Sequence, residues 1–152
     1  FGIHFFPTVQ VFLGLLPVHA ALTIDAPLGI WDGVAVLVTA LAVIIEQVSD
    51  RQLLDFRRSK ERVPGDVMNT GLWAYSRHPN YVGEALFWWG LAIFTLQVAP
   101  QEHWRWSGAV AITVMFVVVS IPMIEARNKE RRANYEERAA RGVFFPLPRR
   151  LR

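Results

Sequence analysis

The densest polar chemistry in the chain lies in the run Gly71 to Glu84, GLWAYSRHPNYVGE. Arg77, His78, Asn80, Tyr81, Gly83 and Glu84 fall within eight residues of it. Pro79 suits the first turn of a helix, where a missing N–H costs least. A helix opening there puts Asn80 and Glu84 on one face, with Gly83 leaving the backbone open to close approach. Arg77 and His78 stand just before that N-terminus, whose free N–H groups and positive dipole end favour an anion. Such a group can hold a phosphate or a carboxylate. The plainer alternative is a membrane-entry turn with a basic anchor.

Two further segments carry polar groups near apolar ones. Glu46, Asp50 and Arg57 are four and seven residues apart, so one helix would align them on a stripe about 16 Å long. A carboxylate at position 46, at a hydrocarbon boundary, requires a donor, a cation or water. Near the other end, Pro122 removes a backbone hydrogen bond and predicts a bend with a freed carbonyl near Val118. Glu125 follows, then a helix-like basic stretch, Ala126 to Arg141, that contains Tyr135. That stretch reads either as a helix lying on anionic lipid or as a basic lid over a phosphorylated cofactor.

Other chemistries lack their residues. There is no cysteine, which removes disulfides, thiolate zinc sites and a Cys nucleophile. His4, His19 and His103 show no metal-ligand spacing, and no metal site is expected. No GxGxxG, Walker or GxSxG motif occurs, so a nucleotide would have to sit among helices.

The elements that must position these residues are membrane helices. The 152 residues are 53% hydrophobic and only 19% charged, with a mean hydropathy of +0.26. Four apolar segments, about 5–22, 28–48, 80–98 and 106–124, are each near the 20 residues needed to cross the hydrocarbon. With no strand-like alternation, the expected fold is all-α: a single integral-membrane four-helix bundle over 1–152 with a cytoplasmic basic C-terminal helix, its tail covering 125–152. Of the 16 Lys and Arg, 15 lie in residues 49–80 or after Glu125. The positive-inside rule places both regions, and the N-terminus, in the cytoplasm of a multi-pass protein. The net charge of +3 then has a topological origin, and nucleic acid is not an expected partner. The lipid bilayer is. Because Phe1 stands where a Met would open a chain, 1–152 reads as the C-terminal part of something longer.

These motifs together resemble the C-terminal half of the steroid 5-alpha-reductase family, especially its bacterial members. The likeness runs through Gln10 and Pro17, SDRQLLDFR at 49–57, GLWAYSRHPNYVGE at 71–84, FWWG at 87–90, SIPMIE at 120–125 and FFP at 144–146. It implies a membrane-embedded oxidoreductase that moves a hydride from NADPH to a carbon–carbon double bond conjugated to a carbonyl, in a steroid-like or other hydrophobic substrate. Carried over by motif, Asp50 and Arg57 match the Asp and Arg after the second span. Asn80, Gly83 and Glu84 match the cofactor-contacting turn, and Tyr135 an aromatic of the tail. Glu46 stands where steroid reductases more often have Asn. Arg57, Arg77 and tail arginines would neutralise phosphates, with His78, Tyr81 and Glu125 completing the cofactor region. The acid that polarises the substrate carbonyl comes, in that family, from N-terminal spans outside this chain, so no catalytic residue is assigned. The RHPNY turn is also similar to isoprenylcysteine carboxyl methyltransferases and sterol reductases. In the methyltransferase reading the RHP turn and a tail Glu and Tyr hold S-adenosylmethionine. A non-catalytic membrane scaffold is the third reading.

Overall fold

The computed structural model of the chain describes residues 2–59, 63–132, 135–140 and 142–144. They are helical throughout, with no strand among them and one isolated parallel bridge, Ser76 to Gly142. Helices α1 (Gly2–Gly14), α2 (Leu16–Thr23) and α3 (Ile30–Arg58) precede a short 3-10 turn, Gly71–Ala74. Then follow α4 (Pro79–Ile93), α5 (Thr95–Val98), a second 3-10 turn at His103–Trp106, and α6 (Ser107–Met115). A π-helical turn, Phe116–Ser120, leads into α7 (Ile121–Arg131), and α8 (Tyr135–Arg138) closes the described helices.

Three stretches are long and apolar enough to cross a membrane: Ile30–Arg58, Pro79–Val98 and His103–Arg131. The expected first span is instead a shorter apolar helix, Pro7–Thr23, at the lower end of the usual length of roughly 17–25 residues. The second expected span runs ten residues further than its apolar part, because α3 continues to Arg58. What the sequence suggested as one basic helix from Ala126 is α7 and α8, with Arg132 extended between them. Arg141, Phe145 and Pro146 lie outside the described residues.

The chain forms two compact units. The first holds residues 1–43 and 84–115. Here helices meet where side chains are smallest, as expected where packing and not hydrophobicity drives association in lipid. A Cβ on Gly108 of α6 would overlap the backbone of Leu13 and Gly14 in α1, and one on Gly90 of α4 would meet Thr39 of α3. Indole donors find hydroxyl partners inside: Trp89 Nε1 donates to Thr113 Oγ1 at 3.0 Å and Trp106 Nε1 to Thr95 Oγ1 at 2.7 Å. Trp31 and Trp104 are exposed, in keeping with an interfacial position for indoles.

The second unit holds residues 44–83 and 116–152. Pro122 sits in the first turn of α7, directly after the π-helical turn. The wider π turn is the form the expected bend takes, and π turns are frequent at functional sites.

Candidate functional site

The second unit builds its site on the last turns of α3. Gln52 Oε1 accepts the Leu72 backbone N–H at 3.0 Å, and the Ser49 carbonyl accepts Trp73 Nε1–H at 3.0 Å. These bonds dock the Gly71–Ala74 turn on α3 and bury Trp73. Gly71 adopts φ +58°, a left-handed conformation, and a Cβ there would overlap the Gln52 side chain. Both facts explain a glycine at this position. The turn delivers Ser76, Arg77 and His78 to the N-terminus of α4, all three buried.

All three side-chain nitrogens of Arg77 donate to the chain itself. Its Nε donates to the Ala140 carbonyl at 2.7 Å, Nη1 to Glu125 at 2.6 Å and Nη2 to Glu136 at 2.7 Å. Its backbone N–H donates to Gly142 O at 2.8 Å, and Ser76 Oγ donates to Phe144 O at 2.9 Å. The C-terminal segment is thereby stitched to the RHP turn. Glu125 Oε1 also accepts from Tyr135 Oη at 2.8 Å and faces His78 Nε2 at 2.9 Å. Burial pushes the Tyr135 phenol above its ordinary range, and its hydrogen bond to Glu125 adds to that. It stays a donor at neutral pH. The Arg77 hydrogen bond, then that of Lys129, holds the Glu136 carboxyl below the usual carboxylate range. An anion does meet the RHP turn, as the residue types suggested, but it is the protein's own buried carboxylate.

Beside this network lies a cavity of about 200 Å³. Its walls include Phe56 and Arg57 of α3, Trp73, then Arg77, His78, Asn80 and Tyr81 at the start of α4, and Asn128, Arg132 and Tyr135 of the C-terminal segment. No Asp or Glu is among the described residues that line it. Arg57 makes no ion pair with a described residue, and Arg132 donates through Nη1 to Asn128 Oδ1 at 2.9 Å. Two guanidinium groups therefore border the space without a carboxylate partner, and Trp73, Tyr81 and Phe56 offer flat apolar surface.

Of the residues singled out from sequence, Arg57, Arg77, His78, Asn80, Tyr81 and Tyr135 line this cavity. Glu125 stands behind it, holding His78 and Tyr135. Glu46 and Asp50 share α3 with Arg57, half-buried and exposed respectively, and are not among the walls. Gly83 is buried in α4. Glu84, one turn beyond Asn80, belongs to the first unit. Asn128 was not singled out, and Arg132 entered only as one of the tail arginines. Their signal was the spacing Glu125, Asn128, Arg132, a three-then-four repeat on one helical face, hidden among seven charged neighbours.

No group of His, Asp and Glu that could hold a metal occurs among the described residues. Fold and site together define an all-helical protein with three helices long and apolar enough to cross a membrane and a cation-lined cavity. The chain belongs to the family described as "Protein of unknown function (DUF1295)", which it matches over residues 1–141. It is 26% identical to an uncharacterised protein of Schizosaccharomyces pombe over 126 residues, 70% of this chain and 36% of the relative. The chain thus spans about a third of the length of that curated relative. No solved structure matches it.

Proposed function

We propose that the chain binds NADPH in a membrane-embedded reductase of an enone-type double bond, acting on a steroid-like or other lipid substrate. The single observation that carries this is the charge of the cavity: Arg57 and Arg132 on its walls and no carboxylate among its described lining residues. A phosphorylated dinucleotide is strongly anionic, and guanidinium groups recognise its phosphates bidentately. S-adenosylmethionine is a sulfonium cation, for which such a wall is repulsive. The RHPNY turn keeps the methyltransferase reading in the comparison, and the charge of the walls argues against it.

The fit is partial and specific. Drug-sized ligands occupy pockets of roughly 300–1,000 Å³, so a cavity of about 200 Å³ takes one end of the cofactor. Arg57 and Arg132 would pair with phosphate, Trp73 or Tyr81 would stack on a base, and Asn80 would orient ribose or amide. The cofactor supplies the hydride. This chain's residues bind it, neutralise it and exclude water from it. The same reading makes Pro7–Thr23 the fourth crossing of a four-helix bundle and puts residues 49–80 and the C-terminal tail in the cytoplasm, where NADPH is.

Purified protein in detergent tests this. NADPH should raise the melting temperature saturably, by the linkage of binding to stability, and Arg57→Ala should remove most of that rise. S-adenosylmethionine should give none. Stabilisation by S-adenosylmethionine alone would replace the reductase with a methyltransferase, and stabilisation by neither would leave a scaffold.

A further inference from the structure

Glu125 accepts from three side chains and lines no part of the cavity, whereas His78 does line it. An ionised carboxylate only accepts hydrogen bonds. Glu125 Oε1 already accepts from Tyr135, so His78 Nε2, 2.9 Å from the same oxygen, is the nitrogen that carries hydrogen. The other ring nitrogen, Nδ1, makes no hydrogen bond with a described residue. The ring is also held in plane. It stacks on Tyr81 at 5.6 Å, which stacks in turn on Phe116 of the π-helical turn at 4.4 Å. A buried imidazole on the cavity wall is therefore fixed in tautomer and orientation by a carboxylate.

We propose that His78, positioned by Glu125, delivers the proton that the reduction consumes. This rests on the reductase reading above. Reducing an enone forms a C–H bond at each alkene carbon. Arg57 and Arg132 would hold a dihydronicotinamide dinucleotide whose hydride would go to the β-carbon, leaving the cofactor as the pyridinium and the substrate as an enolate that needs a proton. The proton on Nδ1 of the doubly protonated ring then goes to the α-carbon. The ring is left neutral with its hydrogen on Nε2 and takes a new proton from water. Glu125 holds the ring in the orientation that this transfer needs. Carboxyl methyl transfer consumes no proton, so this pair has no task in the rival chemistry. The charged and titratable groups around the ring are Glu125 of α7, Arg77 beside it with Glu136 beyond, Tyr135 of α8, Tyr81 of α4, and Arg57 and Arg132 on the cavity wall.

The first test needs no substrate. Proton-coupled 15N spectra of histidine-labelled protein in detergent, assigned by the signal lost in His78→Gln, should show the Nε2–H tautomer for the neutral ring. Glu125→Gln should release it. An Nδ1–H tautomer overturns the proposal, and this measurement on the unaltered protein stands even where a variant does not fold. The second test takes the protein from its native membranes, with NADPH and a 3-oxo-Δ4 steroid as probe enone. In His78→Gln the loss, roughly 100-fold or more for a positioned acid, should fall on kcat and not on KM for NADPH. A variant that keeps the wild-type kcat overturns the proton role and leaves the reductase standing. Wild-type protein without saturable NADPH binding overturns both.

Discussion

Arg77 shows what residue type can and cannot reveal. Its position before a helix N-terminus, next to His78, marked an anion site, and an anion is there. The sequence could not show that Glu125 and Glu136 supply it, because long-range side-chain pairs leave no local signature. Breaking a buried ion pair by removing one partner costs about 3–5 kcal/mol, and the Arg77 and Glu125 side chains are only 6% and 9% exposed. Arg77→Ala should therefore destabilise the second unit by about that amount in denaturant or thermal unfolding. Lysine should rescue little, since a point charge cannot serve Ala140 O, Glu125 and Glu136 at once. Glu136 is 53% exposed, so Glu136→Ala should cost only about 0–1 kcal/mol despite a hydrogen bond of similar length. Equal losses for the two alanine variants would show that burial does not govern this network.

At the scale of elements, what was legible was whatever hydropathy and proline encode. The cores of α3, α4 and the α6–α7 stretch stood where their apolar runs are, and Pro79 and Pro122 marked a start and a bend. The continuation of α3 to Arg58 was conditional in the sequence, since the charged turns after Val48 fit either a helix or a loop. The docking of Gly71–Ala74 on α3 was illegible, because it depends on Gln52 and Ser49 meeting a turn some twenty residues later. The same holds for the glycine contact between α1 and α6, which gives each glycine its meaning. Gly108→Ala would thrust a methyl against the backbone of Leu13 and Gly14, which cannot yield as a flexible side chain can. It should lower stability by about 1–3 kcal/mol, the usual cost of overpacking. Gly33 in α3 meets nothing within 4 Å, so Gly33→Ala should be neutral or stabilise by up to about 1 kcal/mol through helix propensity. Unfolding both variants in one detergent checks the sign as well as the size.

For the whole molecule, charge was the most informative quantity in the sequence, and the helices give it a sharper use. Two candidate spans, Pro79–Val98 and His103–Arg131, separate the basic segment 49–80 from the C-terminal basic tail. Two crossings return the chain to the side it left, whether or not Pro7–Thr23 also crosses. The connection between those spans carries no Lys or Arg, and Arg105, in the first turn of the second span, pairs with Glu102 at 2.7 Å and packs 4.7 Å from the Trp104 ring. The positive-inside rule then predicts that Ser59 and Glu130 share the cytoplasmic side and that Gln101 faces the other. The chain has no cysteine, so single cysteines at these three exposed positions report without background. In right-side-out vesicles a membrane-impermeant maleimide should label Gln101→Cys and spare Ser59→Cys and Glu130→Cys, with the pattern reversed in inverted vesicles. Labelling of Ser59→Cys and Glu130→Cys from opposite sides would mean that one of the two candidate spans does not cross.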